Sequence, residues 1–188
     1  CVHAFIGYTK DKKDVAVYQT LPWNHVGWHS GSGSRGSANT LGYVSFEMCE
    51  DGLNNKEYFD KVYQLGVELT AKILIDNNLP CSANTVMDHA EGHRKGIASN
   101  HGDVIHWLRK HGKSMDTVRS DVQKLMSAKK KEAEVIMSKP EPKPHWAEVH
   151  FNNLNKKGIK INEKRFDEPI TRGELFALLD RLTDKEGK

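Results

Sequence analysis

The pattern of apolar and polar positions predicts alternating strands and helices along the first two thirds of the chain. Two short apolar segments, residues 1–8 and 15–19, flank a charged turn and predict a β-hairpin. Residues 43–48 alternate between apolar and polar, which predicts a third strand, and helical spacing predicts a helix over about 56–77. A short strand is predicted at 85–89, and a second helix is indicated by Met115, Val118, Val122 and Leu125. This order predicts an α/β domain with a mixed central sheet flanked by helices.

The last third of the chain changes in character. Residues 127–144 contain a lysine run and spaced prolines, so they predict a stiff, extended linker. Residues 145–188 then form a small second unit with two predicted helices. The first helix ends near Gly158, and the second begins with a capping box between Thr171 and Glu174. So short a unit buries little surface, and we expect it to dock elsewhere or to associate, for instance as a homodimer.

Composition narrows the classes of partner. The 188 residues suffice for one medium domain and a small appendage. A net charge of +3 gives no strong electrostatic case for binding nucleic acid. No apolar stretch approaches the roughly 18 residues of a membrane span, and no basic-then-apolar leader of a signal peptide is visible. Three cysteines without a C-x-x-C spacing do not predict a disulfide framework.

The residue types of a catalytic zinc site occur together after the predicted strand at 85–89. His89 is followed by a glycine-containing loop that returns a His-x-Asp pair, His101 and Asp103. Imidazole and carboxylate are the ligands of zinc sites that keep one position open for water. Either Asp103 binds the metal and His101 assists the reaction, or His101 binds and Asp103 orients it. A structural role for His89, hydrogen-bonded to backbone, is the alternative.

Two further groups are candidates for chemistry. Glu47 lies on the polar face of the strand at 43–48 and could act as a general base if it faces the same cleft as the zinc candidates. A solvated strand carboxylate is the alternative. Trp28 and His29 precede a Gly/Ser/Asn loop at 30–40 and have the character of a groove wall for carbohydrate or peptide. A buried aromatic corner is the alternative for this pair.

Together these motifs resemble the zinc-dependent N-acetylmuramoyl-L-alanine amidases of the T7 lysozyme and peptidoglycan-recognition type. The resemblance covers roughly residues 1–126 and is strongest to the autolysin and phage endolysin members. It rests on four segments of the chain, residues 2–7, 28–31, 42–47 and 89–103.

The resemblance implies a Zn²⁺ cofactor held by His89 and Asp103. It also implies Glu47 as the catalytic carboxylate and His101 as the residue that stabilises the transition state. The expected substrate is peptidoglycan, and the expected reaction is hydrolysis of the amide between N-acetylmuramic acid and the L-alanine of the stem peptide. Trp28 and His29 are expected to contact that substrate.

One part of the family's pattern is not matched. Its remaining zinc histidine lies on a strand upstream of the segment that matches residues 1–8, and both His3 and His29 match positions that are not ligands. We therefore expect two of three ligands in this chain. Either a further piece precedes Cys1, or the protein is an inactive remnant that binds peptidoglycan without cleaving it.

The second unit resembles a single S-layer homology module. Its markers are Trp146, Phe166 and residues 170–174. The resemblance implies binding to a secondary wall polymer through Arg172, whose guanidinium suits carboxylate or phosphate groups. A helical hairpin that aids association is the alternative. The two resemblances predict an endolysin that acts at the bacterial cell wall and, lacking a visible leader, reaches the wall through a phage pore.

Overall fold

A three-stranded mixed sheet lies at the centre of the first part of the chain. Strand β1 (Ala4–Tyr8) pairs antiparallel with β2 (Val15–Gln19) and parallel with β3 (Phe46–Met48), which gives the order β2-β1-β3. The predicted hairpin and the predicted third strand are confirmed. Ala4 and Ile6 of β1 are fully buried and face the core. A mixed sheet with helices packed against it confirms the predicted α/β class.

The computed structural model describes residues 1–138, 145–159 and 164–183. The chain divides into two compact units, Cys1–Val135 and Ile136–Lys188. Among the described residues, no helix combines the length and the apolar character that crossing a bilayer requires. The three cysteines are free thiols.

Helix α1 (Lys56–Asp76) covers the sheet and confirms the helix predicted there. Asn55 caps its start, because its side chain accepts a hydrogen bond from the backbone of Tyr58. Phe59 lies at the centre of the buried face with no solvent exposure, and its ring contacts Trp107 edge-on at 5.1 Å between centroids. This aromatic contact joins α1 to the segment that follows the zinc candidates.

The prediction of a strand at 85–89 is wrong. His89 is instead the first residue of helix α2 (His89–Arg94). The side chain of Asp88 accepts the N–H of Glu91, and the Glu91 carboxylate accepts the N–H of Asp88, which forms a capping box. Six-residue helices leave too little periodicity to be read from sequence, and α3 (Ile105–Lys110) was missed for the same reason.

Helix α4 (Met115–Ser138) confirms the second predicted helix and extends it. An extended linker was expected from residue 127 onward, but residues 127–138 continue the helix. Alanine, lysine and glutamate dominate this stretch and have high helix propensity, so they sustain the helix through the lysine run. The proline-containing remainder of the predicted linker, 139–144, lies outside the described residues.

Arg119 of α4 holds the start of α2 in place. Its guanidinium donates two hydrogen bonds to the Glu91 carboxylate at 2.9 and 3.1 Å and one to the Val86 carbonyl at 3.0 Å. The side chains of Arg119 and Glu91 are 14% and 16% exposed. Hydrogen bonding to Glu91 raises the pKa of Arg119 further above its already high ordinary value. The helix start that carries His89 is therefore fixed by a bidentate, mostly buried ion pair.

The second unit contains helices α5 (Glu148–Lys156) and α6 (Arg172–Thr183). Gly158 follows α5 with a φ of 79°, which confirms the predicted glycine stop. The backbone of Thr171 donates to the Glu174 carboxylate at 2.8 Å, and the backbone of Glu174 donates to the Thr171 hydroxyl at 3.2 Å. The predicted capping box is therefore confirmed. No residue of α5 is buried.

Replacing Phe59 with alanine tests the core between α1 and α3. The fully buried ring leaves a cavity, so the free energy of unfolding should fall by about 3–5 kcal/mol. Phe5→Ala is the matched control, because Phe5 is 38% exposed, and its loss should cost about 1 kcal/mol. Urea unfolding followed by circular dichroism measures both, and equal losses would contradict this description of the core.

Replacing Arg119 with methionine tests the ion pair between Arg119 and Glu91, which we call the clamp on α2. The substitution leaves the Glu91 carboxylate mostly buried without its main partner. The free energy of unfolding should therefore fall by about 3 kcal/mol. Arg94→Met is the control on the same carboxylate, since Arg94 is 64% exposed and 4.0 Å from Glu91. Its loss should cost less than about 1 kcal/mol. The idea of a clamp would be abandoned if the two variants shared one urea midpoint.

Candidate active site

Three side chains of metal-ligand type converge beside the sheet. One donor atom each from His29, His89 and Asp103 lies within 4.8 Å of the other two. His89 Nδ1 is 2.9 Å from Asp103 Oδ2, and the rings of His29 and His89 are 5.6 Å apart between centroids. Two imidazoles and a carboxylate are a donor set that zinc uses in catalytic sites. Within the described ranges, no other group of three such side chains comes together.

His29 reaches this cluster from the loop after the hairpin. The Asn39 side chain accepts the backbone N–H groups of His29 and Ser30, both at 3.1 Å, and so fixes the local chain path. The His29 Nδ1 lies 3.2 Å from Oε1 of Glu47. Burial lowers the pKa of His29, and the neighbouring His89 lowers it further. The neutral imidazole that metals bind is therefore favoured.

Glu47 occupies the middle of β3 and points its carboxylate at the cluster. Burial raises the pKa of Glu47 above its ordinary value, and the nearby Asp103 carboxylate raises it further, whereas His89 acts in the opposite sense. A raised pKa makes a carboxylate a stronger base. A role for Glu47 as a general base was predicted on condition that it faces the same cleft as His89. In the structure His29 lies between them, with Nδ1 3.2 Å from Glu47 and its ring 5.6 Å from that of His89.

His101 lies beside His89 on the loop after α2. The two ring centroids are 4.9 Å apart, and the planes are inclined by 42°. The His101 Nδ1 is 3.1 Å from the hydroxyl of Ser99, and His101 itself is exposed. Of the two residues, Asp103 rather than His101 has its donor atom in the convergent group.

The remaining candidates lie in different settings. Trp28 is 75% exposed, so it is not a buried aromatic corner and its ring is accessible to a ligand. His3 is buried away from the cluster, where Nδ1 accepts from the backbone of Ser45 at 3.1 Å and Nε2 donates to the His25 carbonyl at 2.9 Å. Arg172 is exposed in the first turn of α6, in the second unit.

The structure places one more side chain of metal-ligand type in this cluster than the two expected from the sequence. His29, which was predicted to contact substrate, lies together with His89 and Asp103. Sequence spacing does not reveal that the loop after His29 packs against the segment that follows His89, about 60 residues later. The sequence also predicted no role for Ser99, whose hydroxyl contacts both His89 and His101. Its position between these two histidines in the motif was a signal that could have identified it.

Comparison with known proteins agrees with the resemblance. The family described as N-acetylmuramoyl-L-alanine amidase, Amidase_2, matches residues 1–111. The N-acetylmuramoyl-L-alanine amidase CwlH of Bacillus subtilis (strain 168) is 33% identical over 76 residues, which are 40% of this chain and 28% of CwlH. The matched part is thus under a third of that relative's length. No solved structure matches the chain. Because the family match spans more than half of its residues, the chain belongs to the Amidase_2 family of N-acetylmuramoyl-L-alanine amidases.

Proposed function

We propose that this chain is a zinc-dependent amidase that hydrolyses the bond between N-acetylmuramic acid and the L-alanine of the peptidoglycan stem. The observation that carries the proposal is the convergence of His29, His89 and Asp103 next to Glu47. This grouping occurs in a chain of the amidase family. Amide hydrolysis would use the three donors to hold a metal and the neighbouring carboxylate as a base.

The metal would be held by His29, His89 and Asp103. When bound, zinc supplies Lewis acidity, which polarises a carbonyl oxygen and makes water more acidic. The donor set fits this ion, since it consists of two imidazole nitrogens and a carboxylate oxygen with all three donor atoms close together. Glu47 supports the fit, because accepting the Nδ1–H of His29 leaves Nε2 of that ring for a metal.

Glu47 would act as the general base. Its raised pKa suits it to take the proton of the attacking water and then to pass that proton to the departing amide nitrogen. The step needs the carboxylate to be ionised at the start, which places the working range above the pKa of Glu47.

His101 would stabilise the transition state. The amide carbonyl oxygen gains negative charge when water attacks, and an imidazole N–H placed next to that oxygen lowers the barrier. His101 is suited to this role because it lies against His89 and is exposed. The exposed face of Trp28 would contact the sugar or the peptide beside the scissile bond.

We further propose that the second unit binds a secondary wall polymer. The exposed guanidinium of Arg172, at the well-capped start of α6, supports this role. Release through a phage pore and the identity of an endolysin remain predictions from the resemblance.

Removing any of the three convergent side chains should abolish tight zinc binding. We expect His29→Ala, His89→Ala and Asp103→Asn each to raise the zinc Kd by more than about 100-fold, a larger loss than removing a supporting partner causes. His106→Ala is the control, because His106 is an exposed histidine that pairs with Glu50. Competition with a chromogenic chelator measures Kd. A wild-type chain that binds no zinc would refute the site, and an unaffected His29→Ala would reduce it to two ligands.

Glu47→Gln separates catalysis from metal binding. The amide oxygen of glutamine still accepts the Nδ1–H of His29, so zinc affinity should change little. Loss of the base should lower kcat/KM by about 10²–10⁴-fold. The assay is the release of free L-alanine amino groups from purified peptidoglycan, and Glu50→Gln serves as the matched control. Undiminished release by Glu47→Gln would remove Glu47 from the mechanism. A wild-type chain that sediments with the wall but releases nothing would favour a non-catalytic peptidoglycan-binding protein.

A further inference from the structure

We propose that Ser99 is a positioning residue that fixes the proton positions of His89 and His101 and so presents Nδ1 of His89 to the metal. The inference rests on the proposed function, because it assigns a residue that serves the same site. Ser99 is not itself placed among the metal ligands. Its effect is exerted through the two imidazoles that its hydroxyl contacts.

The hydroxyl of Ser99 has three hydrogen-bonding neighbours. Its oxygen lies 3.2 Å from Nε2 of His89, 3.1 Å from Nδ1 of His101 and 3.2 Å from the carbonyl oxygen of Ser30. A serine hydroxyl carries one proton and two lone pairs. The Ser30 carbonyl has no proton to give, so the hydroxyl donates to it. Both imidazole nitrogens must then donate to the serine oxygen.

This assignment determines the tautomer of His89. With its proton on Nε2, the neutral ring presents an Nδ1 lone pair to Oδ2 of Asp103 at 2.9 Å. At that distance the two atoms are held together either by a second proton on Nδ1, which pairs the ring with the carboxylate as an imidazolium, or by a metal ion that replaces that proton. The pair formed by His89 Nδ1 and the Asp103 carboxylate is therefore prepared for a metal ion, and Ser99 is what turns that nitrogen towards it.

The same hydroxyl sets the orientation of His101. Its Nδ1–H is engaged by Ser99, so Nε2 is the nitrogen left to contact a substrate. One serine thus couples a proposed metal ligand to the proposed transition-state stabiliser. Because the two rings share this acceptor, a shift of the serine oxygen would misplace both.

The surroundings hold the serine oxygen in position. The Ser99 backbone N–H also donates to the Ser30 carbonyl, at 2.8 Å, so main chain and side chain are anchored to the same atom. Gly31, at a φ of 61°, leaves the space for the hydroxyl, because a Cβ there would lie 2.7 Å from Ser99 Oγ. The loop that carries His29 therefore also fixes the residue that orients His89.

Ser99→Ala should weaken zinc binding while leaving the three ligands in place. We expect the zinc Kd to rise about 10–100-fold, as for loss of a partner that orients a ligating histidine. Ser37→Ala is the matched control, because it removes a hydroxyl of the same loop whose hydrogen bonds are to the Gly31 carbonyl and the Asn39 backbone N–H. Its Kd should stay within about twofold of wild type. Circular dichroism checks that both variants fold.

A measurement on the unaltered chain tests the proposal without a variant. In zinc-loaded protein with ¹⁵N-labelled histidine, long-range ¹H–¹⁵N correlation should show His89 with its proton on Nε2 and the metal on Nδ1. The opposite tautomer would overturn the proposal, as would a Ser99→Ala Kd equal to that of Ser37→Ala. In both cases the wild-type chain still binds zinc. Failure of the proposed function would look different, because the wild-type chain would then bind no zinc.

Discussion

The packing of the loop at residues 30–40 against residues 96–99 is the contact on which the candidate site depends. His29 lies about 60 residues before His89 in the chain, and this contact brings the two segments together. Backbone hydrogen bonds join Ser99 to Ser30 at 2.8 Å and Ala38 to Ile97 at 2.7 Å. Because these bonds are made by the main chain, this contact does not rely on the flexible ends of long side chains.

The second support of the site comes from helix α4. Arg119 binds the same Glu91 that closes the capping box of α2, so one carboxylate serves both the helix start and the ion pair. His89 is the first residue of that helix, and its side chain is only 4% exposed. A side chain whose helix is anchored in this way would lose little conformational freedom on binding a metal, which would favour tight coordination.

Much of this could be predicted from the sequence, and the failures have physical causes. The hairpin, the strand with Glu47 and helix α1 carry strong periodicity, and their packing follows from it. His89 was placed in a strand because the apolar residues before it outweighed Asp88 and Glu91, whose capping box begins a helix. The convergence of His29 with His89 depends on tertiary packing of a Gly/Ser loop, which no local pattern encodes. Helix α4 continues past residue 127 because helix propensity prevailed over the repulsion of clustered lysines.

The three convergent side chains differ sharply in their access to water. The His89 side chain is 4% exposed and that of His29 is 20% exposed, whereas that of Asp103 is 46% exposed. Of the three donors, the Asp103 carboxylate is therefore the most open to water, so a chelator in solution would meet it before either imidazole. The loop between α2 and α3 carries this accessible side of the centre.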